Sequence, residues 1–361
     1  MTDFLIVGGG LVGMLTAREL RSSGASVTLV ERGETGRESS WAAGGILSPL
    51  RPWCYPQAVT SLARWSQQLY PSLAQELTDE TGMDPEWTQS GFLILGNEDQ
   101  SEADAWAVRS NVPMKVLQGR EIMSLEPALA AQPDNALWFP QIAQIRPPRL
   151  LQALKRSLLL RGVQIKEHTE VSGLALQGKR AFGVETAQGR LLADKIIIAG
   201  GAWSGGLLQS LGLSLPISPV RGQMIIFKGQ PGFITRIILS KGRYIIPRRD
   251  GRILAGSTEE QAGFDKTTTD AALIELRNAA LAIVPSLADY EVEHHWAGLR
   301  PGSPQGVPFV GPHPRIAGLY VNSGHFRNGI VMAPASARLL ADIILDAPPI
   351  VPAGPYALEA C

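Results

Sequence analysis

The feature that most constrains this sequence is a glycine-rich turn close to its beginning. Residues 4–7 form a short apolar run, and the segment 8–13, Gly-Gly-Gly-Leu-Val-Gly, follows at once with the spacing GxGxxG. Residues 11–21 then carry apolar side chains at helical spacing, and residues 27–30 form a second apolar run that ends at Glu31. This order predicts a strand, a helix and a parallel strand, the unit that begins a dinucleotide-binding domain.

Each part of this unit has a role in holding a dinucleotide. Gly8 permits the tight turn out of the strand, Gly10 lets the backbone approach a pyrophosphate, and Gly13 permits close packing of the helix on the strand. The pyrophosphate would lie at the helix N-terminus, near free amide groups and the positive end of the helix dipole. Glu31, 18 residues after Gly13, can accept hydrogen bonds from a ribose diol. The motif alone leaves NAD and FAD open, and a glycine-rich turn without a ligand is the alternative.

Composition excludes several other classes of protein. The 33 basic and 33 acidic residues balance and form no long run of one sign, which argues against binding of nucleic acid or of an anionic membrane surface. No stretch approaches the roughly 20 apolar residues of a membrane helix, and the first residues lack the basic region of a signal peptide. The cysteines are Cys54 and Cys361, so we expect no structural disulfide and a cytoplasmic location. The five histidines do not cluster, and we expect no metal.

The distribution of patterns along the chain predicts its domain organisation. Parallel-type units lie at both ends and near the middle, whereas the short strands between them favour an antiparallel sheet. The predicted fold is therefore α/β: a Rossmann-like domain with an inserted substrate domain built on a mostly antiparallel sheet. The dinucleotide-binding domain is predicted to comprise residues 1–85, 145–215 and 298–361, and the substrate-binding domain residues 86–144 and 216–297.

Four further segments carry a family resemblance. They are Ser-Ser-Trp-Ala-Ala-Gly-Gly-Ile at 39–46, Ala-Gly-Gly-Ala-Trp-Ser at 199–204, Ala-Gly-Leu-Arg-Pro at 297–301 and Gly-His-Phe-Arg-Asn-Gly-Ile at 324–330. Together with the N-terminal turn they resemble the D-amino-acid oxidase family of flavoproteins, over essentially the whole chain. The resemblance implies that the cofactor is FAD, bound in an extended form with its adenosine end on the N-terminal unit.

The resemblance also implies which residues hold FAD. It extends the cofactor set beyond the first motif to residues in the segments that follow the N-terminal unit and near the C-terminus. The cofactor-binding residues predicted in all are Gly8, Gly10, Leu11, Val12, Gly13, Glu31, Arg32, Ser39, Ser40, Gly44, Gly45, Ile46, Val171, Gly200, His325, Phe326, Arg327, Asn328, Gly329, Ile330 and Val331. Val171 would meet the adenine end through its backbone, and residues 325–331 would cover the flavin at a helix start whose dipole stabilises a negatively charged flavin. The alternative for residues 325–331 is an ordinary capped helix without a ligand. Because this segment contains no cysteine, FAD is predicted to bind non-covalently.

Three side chains are predicted to form the substrate site. A bidentate arginine matches a carboxylate, and Arg300 lies on a predicted strand where Trp296, Gly298 and Arg300 share one face. The resemblance places the Tyr244 hydroxyl at the same carboxylate and Arg327 beside the flavin. The alternatives are a surface arginine for Arg300, a tyrosine packed in the core for Tyr244, and a pair with a neighbouring carboxylate for Arg327.

The sequence departs from the family pattern near this site. Some relatives carry a histidine two residues before the tyrosine, where this chain has Gly242. Ile46 occupies a pocket position that also varies. Both differences leave the ranking among glycine, sarcosine and small D-amino acids open.

The resemblance is strongest to the bacterial branch of the family that supplies iminoacetate for the thiazole of thiamine, and it implies an activity. It implies FAD-dependent oxidative deamination of glycine, and of sarcosine or small D-amino acids, by hydride transfer to flavin N5. The products would be an imino acid or oxoacid, ammonia and hydrogen peroxide. The partners would be a small amino acid and oxygen, in a homo-oligomer that by resemblance is a tetramer. The alternatives are a D-amino-acid or sarcosine dehydrogenase with an acceptor other than oxygen, and a non-catalytic flavin-binding protein.

Overall fold

Two eight-stranded sheets divide the chain between them in the computed structural model, which describes residues 2–96, 98–130, 133–209 and 212–358. The strands are β1 Thr2–Val7, β2 Val27–Val30, β3 Phe92–Leu95, β4 Lys115–Gln118, β5 Asn135–Phe139, β6 Gln164–Lys166, β7 Val171–Gln177, β8 Arg180–Thr186, β9 Gly189–Ile198, β10 Ser218–Phe227, β11 Ile237–Ser240, β12 Arg243–Pro247, β13 Ile253–Gly256, β14 Val292–Gly302, β15 Phe309–Pro312 and β16 Leu319–Ser323. The helices are α1 Leu11–Ser22, α2 Ser39–Ala42, α3 Gln57–Thr81, α4 Gln100–Ser110, α5 Gly119–Leu125, α6 Pro147–Leu160, α7 Ser204–Gln209, α8 Asp270–Ile283 and α9 Gly329–Ile344.

The first sheet has a parallel centre. Its order is β15-β16-β9-β1-β2-β6, and β7 and β8 extend it from β9 as an antiparallel pair. β1 pairs in parallel with both β2 and β9, so the glycine-rich turn leaves the sheet at the carboxyl ends of its central strands. That edge is where open α/β sheets bind ligands.

The second sheet is mostly antiparallel. Its order is β14-β10-β13-β12-β11-β3-β5-β4, in which only β11 and β3 run parallel among the described pairs. β14 and β10 form its longest ladder, with Gly222 directly opposite Gly298. The predicted fold class, an α/β dinucleotide-binding fold with a mostly antiparallel second sheet, is confirmed.

The chain passes between the two sheets four times, after β2, β5, β9 and β14. The strands of the first sheet fall within 1–85, 145–215 and 298–361, and those of the second within 86–144 and 216–297 except that β14 continues to Gly302. The assignment of these segments to an FAD-binding and a substrate-binding domain remains a proposal.

A layer of helices holds the start of α9 in place. Leu11, Met14 and Leu15 of α1 share one buried cluster with side chains of α3 and α9. The fully buried Tyr70 of α3 donates a hydrogen bond of 2.5 Å from its hydroxyl to the carbonyl oxygen of Ile330. Burial raises the pKa of the Tyr70 phenol, so this donor keeps its proton and fixes the first turn of α9.

Candidate active site

A cavity of about 620 Å³ lies where the two sheets meet and has walls from both. It extends from the glycine-rich turn, past the start of α9, to β10, β12 and β14. The predicted residues that line it are Gly8, Gly10, Leu11, Val12, Glu31, Arg32, Ser39, Ser40, Gly44, Val171, Gly200, Tyr244, Arg300, His325, Phe326, Arg327, Gly329 and Ile330. The structure therefore brings both predicted groups of residues, those for the cofactor and those for the substrate, to one continuous cavity.

Five predicted cofactor residues do not line this cavity. Gly13 lies behind its wall, because a Cβ there would be 1.9 Å from the Gly8 carbonyl oxygen. Gly45 packs against the backbone of Ile145, because a Cβ at Gly45 would be 2.0 Å from the Ile145 carbonyl oxygen. Val331 is buried among the helices α1, α3 and α9. Ile46 packs on the apolar cluster that contains Tyr244 and Met224, and Asn328 is buried. Their proposed roles in cofactor binding would be indirect.

The glycine-rich turn has the geometry that its sequence predicts. Gly8 adopts a φ of +116°, and a Cβ there would lie 2.4 Å from the carbonyl oxygen of Ala199 at the end of β9. The amide of Leu11 at the start of α1 donates to Ser40 Oγ over 3.0 Å. Gly10, Leu11, Val12 and Ser40 line the cavity at this helix N-terminus, the kind of position that suits a pyrophosphate.

The carboxylate of Glu31 is buried and held in a fixed orientation. It accepts hydrogen bonds from the amides of Gly9 (2.8 Å) and Gly33 (3.0 Å). A carboxylate has about four lone-pair sites, so two backbone donors leave capacity for a ribose diol. The neighbouring Arg32 guanidinium lies 3.7 Å from the centre of the Trp203 ring, which also lines the cavity.

The wall formed by β16 and the start of α9 contains polar groups without a protein partner. Within the described residues, Asn322 Oδ1 and Asn328 Nδ2 are buried and make no hydrogen bond. Asn322 lines the cavity, and Asn328 precedes the first residue of α9. Because buried polar atoms in proteins are nearly always satisfied, the free Asn322 Oδ1 on the cavity wall fits a ligand rich in hydroxyl groups, as FAD is, whereas Asn328 does not line the cavity.

His325 supports the same turn without carrying charge. Its ring is buried, and Nε2 lies 2.8 Å from Ser336 Oγ on α9. Burial lowers the pKa of His325 to about 3. The imidazole is therefore neutral near pH 7. It stabilises the turn through its hydrogen bond to Ser336 and places no positive charge beside the cavity.

Arg300 is held by neutral partners at the other end of the cavity. Its Nη1 donates to the Thr258 carbonyl oxygen (3.1 Å) and its Nη2 to Ser257 Oγ (2.7 Å). Gly222 makes room for the guanidinium, since a Cβ there would lie 2.3 Å from Nη1. Burial lowers the pKa of Arg300, partly offset by the nearby Tyr244, and the group remains a cation without a directly bonded carboxylate. Such a group is suited to an anionic ligand.

Tyr244 lies on β12 and is buried beside Arg300. Its hydroxyl donates to Met224 Sδ over 3.8 Å, a weak hydrogen bond that a carboxylate oxygen would replace with a stronger one. Gly256 opposite provides the space, because a Cβ there would lie 2.9 Å from the hydroxyl oxygen. The sequence left two interpretations of Tyr244, a tyrosine packed in the core and a hydroxyl in the substrate site. The structure combines them, because the ring belongs to the core and the hydroxyl reaches the cavity.

Arg327 lines the cavity and also forms the carboxylate pair considered as its alternative. Its Nη1 lies 2.6 Å from Glu259 Oε2, in the loop after β13. The two guanidinium groups at this end of the cavity thus differ, because Arg300 has neutral partners and Arg327 has an anionic one.

The missing histidine at position 242 has a backbone explanation. Lys241 and Gly242 connect β11 to β12 as a two-residue turn with φ of +47° and +78°. Both central residues of a type I′ turn need positive φ, which favours glycine at the second position. A side chain at this position would be strained, and none reaches the site from here.

The sequence interpretation missed the groups that position the predicted ones. Ser257, Thr258 and Gly222 were assigned no role, nor were Met224 and Trp203. Of these residues, Gly222 is the one that the sequence could have indicated, because a glycine within a strand often marks the close approach of another group.

The buried Arg248 on the loop after β12 was also missed. Its Nη2 donates to the Gly44 carbonyl oxygen (2.6 Å) and its Nη1 to Gln144 Oε1 (2.7 Å) and the Ile145 carbonyl oxygen (3.2 Å). Burial lowers the pKa of Arg248 to about 10, so it remains charged near neutral pH. It joins the second sheet to the segment after α2.

Other predicted properties remain predictions. No group of three or more potential metal ligands occurs in the part of the chain that the structure describes. Across the same residues, no helix has the length and apolar character needed to cross a membrane. Cys54 is exposed, and Cys361 lies outside the described residues, so the expected lack of a disulfide is untested.

The fold and the cavity define a class of protein: one with a dinucleotide-binding sheet and a second sheet that closes the cavity. A family model described as FAD dependent oxidoreductase matches residues 3–343. The chain belongs to this family, the D-amino-acid oxidase family expected from the sequence, and its cofactor is FAD.

Individual relatives are similar over nearly the whole of this chain. The chain is 51% identical to glycine oxidase of Pseudomonas aeruginosa, over 98% of this chain and 97% of that protein. It is 32% identical to the bifunctional protein ThiO/ThiG of Trichormus variabilis, over 95% of this chain and 53% of that protein. Among solved structures, glycine oxidase from Geobacillus kaustophilus aligns with a TM-score of 0.94 at 30% identity, over 100% of this chain and 99% of that one.

Proposed function

We propose that this protein oxidises glycine to the imino acid. The observation that carries the proposal is the half-buried guanidinium of Arg300, which has no directly bonded carboxylate and lies beside the Tyr244 hydroxyl, in the same cavity as the dinucleotide-binding turn. Similarity to two proteins named glycine oxidase, one by sequence and one by structure, supports glycine as the substrate.

In this proposal the residues at the substrate end bind and orient. Arg300 holds the substrate carboxylate in a bidentate pair, and Tyr244 donates a further hydrogen bond. Ser257 and Thr258 keep the guanidinium plane fixed, so the carboxylate is held in one orientation. When bound, FAD supplies the two-electron acceptor, with N5 as the proposed hydride-accepting atom.

No side-chain base is required in this proposal. The amine must be neutral for the α-hydrogen to leave as hydride, so activity should rise with pH as the bound amine loses its proton. His325 is buried, neutral and engaged with Ser336, and takes no part in this proton transfer.

The finer parts of the proposal concern products and acceptor. We infer that oxygen is the final acceptor, giving hydrogen peroxide, and that the imino acid either hydrolyses to the oxoacid and ammonia or is consumed as iminoacetate in making the thiazole of thiamine. The similarity to the ThiO/ThiG protein supports the second route. Sarcosine and small D-amino acids are proposed as further substrates, with non-covalent FAD in a cytoplasmic homo-oligomer.

The decisive experiment is an anaerobic titration of the FAD-loaded protein with glycine, followed by flavin absorbance. Bleaching that reverses when air is admitted, with one peroxide formed per glycine, would support the proposal. Bleaching that air does not reverse would indicate a dehydrogenase with another acceptor. A lack of bleaching with glycine would reject it as substrate, and sarcosine, D-alanine and D-proline would then be titrated.

A further inference from the structure

The substrate end of the cavity has two arginines but only one guanidinium without a directly bonded carboxylate. Arg300 is bound by a hydroxyl and a carbonyl oxygen, so no carboxylate is bonded to it directly, although the negative charge of Glu259 lies near enough to act on it. Arg327 also lines the cavity, but Glu259 lies 2.6 Å from its Nη1. Of these two arginines, a ligand in this cavity therefore meets one guanidinium that has no bonded carboxylate.

The neighbouring Glu260 binds a different part of the molecule from Glu259. Glu260 accepts hydrogen bonds from Arg221 (2.6 Å) and Gln223 Nε2 (2.9 Å), and it fixes the loop to β10. Glu259, whose side chain is 44% exposed, instead meets Arg327. Its carboxylate adds an interaction at the cavity rim.

We propose that Glu259 is a specificity-determining residue that restricts the site to amines with one carboxylate. It occupies the second guanidinium and places a negative charge where a second substrate carboxylate would bind. Specificity of this kind comes from a repulsive element as well as an attractive one. The inference rests on the proposed function, because it takes Arg300 as the anchor of the first carboxylate.

Two non-oxidisable ligands test this without turnover. Methoxyacetate has the shape of sarcosine, and diglycolate is the same molecule with one added carboxylate. Each is titrated into the FAD-loaded protein, and binding is followed by the change in flavin absorbance. In the Glu259→Gln variant we expect affinity for diglycolate to rise about tenfold relative to methoxyacetate, a modest gain because the rim is partly exposed.

A matched control removes the same charge elsewhere. Glu185 on β8 also lies 2.6 Å from an arginine, Arg190, and both side chains are exposed. Glu185→Gln should leave the diglycolate-to-methoxyacetate ratio at its wild-type value. An equal shift in Glu185→Gln would reduce the effect to net charge and overturn the proposal.

The double variant Glu259→Gln/Arg327→Gln identifies the group that is released. The gain in diglycolate binding should be smaller when Arg327 is also removed, because only the loss of repulsion then remains, and an undiminished gain would overturn the proposal. Raising the ionic strength should reduce the gain in Glu259→Gln, since both charges lie near solvent.

The outcomes separate this inference from the proposed function. Normal reduction by glycine with an unchanged ligand ratio in Glu259→Gln would reject the role of Glu259 alone. A shifted ratio without reduction by glycine would support the role of Glu259 and reject glycine as substrate. Failure of methoxyacetate to bind the wild-type protein would reject Arg300 as the carboxylate anchor and with it the role of Glu259, whereas reduction by glycine would still decide the proposed function.

Discussion

Arg300 offers a substrate a guanidinium that the protein has already oriented. Its two terminal nitrogens donate to the loop after β13, and Gly222 on β10 provides the space it fills. A lysine has the same charge but no planar fork, so it cannot make both protein contacts and still bind a carboxylate through two parallel bonds.

Replacing Arg300 tests the anchor directly. Arg300→Met should raise the KM for glycine about 10- to 100-fold, the value of a lost charge-assisted hydrogen bond of about 1.5–3 kcal/mol. Arg300→Lys should recover only part of this loss. Steady-state kinetics give the KM, and flavin absorbance gives the FAD content, which should stay at the wild-type level. A wild-type KM in Arg300→Met would reject the anchor.

For individual residues, the sequence predicted which side chains reach the cavity better than it predicted the groups that those side chains contact. Arg300, Tyr244 and Arg327 all reach the cavity as expected from the resemblance, although their roles remain proposals. Glu259 and Arg327 are 68 residues apart, and no local pattern connects them. Such pairs depend on how distant strands pack, which propensities and spacing do not encode.

Among the elements, long and strongly patterned segments were predicted best. The apolar stripe of Leu62, Trp65, Leu69, Leu73 and Leu77 predicts a helix over residues 57–81, and α3 has these limits because Gly82 ends it in a left-handed conformation. The sequence pattern predicts a helix over residues 267–283, whereas α8 begins at Asp270. Thr269 accepts a hydrogen bond from the Ala272 amide and acts as the N-cap of α8. The edge strand β4 was not predicted, because four residues at the edge of a sheet carry little pattern.

Arg248 and Arg249 are adjacent residues with different surroundings. Arg248 is buried and bonds to the Gly44 and Ile145 carbonyl oxygens, whereas the Arg249 side chain is 47% exposed. Arg248→Met should destabilise the protein by about 2–4 kcal/mol, because buried acceptors lose their donor. It should also weaken retention of FAD, since Gly44 lines the cavity.

Arg249→Met is the control for this prediction. Arg249 pairs with Asp84 at the surface, and exposed ion pairs contribute little to stability. Urea unfolding and flavin release on dilution should separate the two variants. Equal effects on both would show that the buried contacts of Arg248 are not what stabilises the junction.

For the whole molecule, the sequence predicted the class of fold but not the order of strands in the second sheet. Within that sheet, β3 pairs with β11, whose residues lie far along the chain, and β14 returns beside β10. Hydrophobic alternation identifies such strands but does not specify which neighbour each one pairs with.

The buried His325 should make the stability of the whole molecule depend on pH. Its folded pKa of about 3 lies below the ordinary value of 6.5, so the unfolded chain binds a proton between these pH values and the folded chain does not. Its contribution is complete above pH 6.5 and is lost as the pH falls, at about 1.4 kcal/mol per pH unit, or about 2 kcal/mol by pH 5.

Urea unfolding at pH 7 and pH 5 with saturating FAD measures this effect. His325→Gln should lose less stability than the wild type between the two pH values, whatever its stability at pH 7. His294→Gln, at an exposed position on β14, should behave as the wild type does. An unchanged pH dependence in His325→Gln would contradict the prediction.

The walls of the cavity come from positions that span almost the entire chain, from Val7 to Ile330. During synthesis, a ribosome that has released the glycine-rich turn must add more than 300 further residues before the last wall of the pocket exists. The nascent chain can therefore offer FAD no more than a partial groove. FAD must therefore be enclosed when translation is nearly finished or after the chain is released. The yield of active enzyme should depend on the FAD concentration at that late stage and not on the FAD concentration during chain elongation.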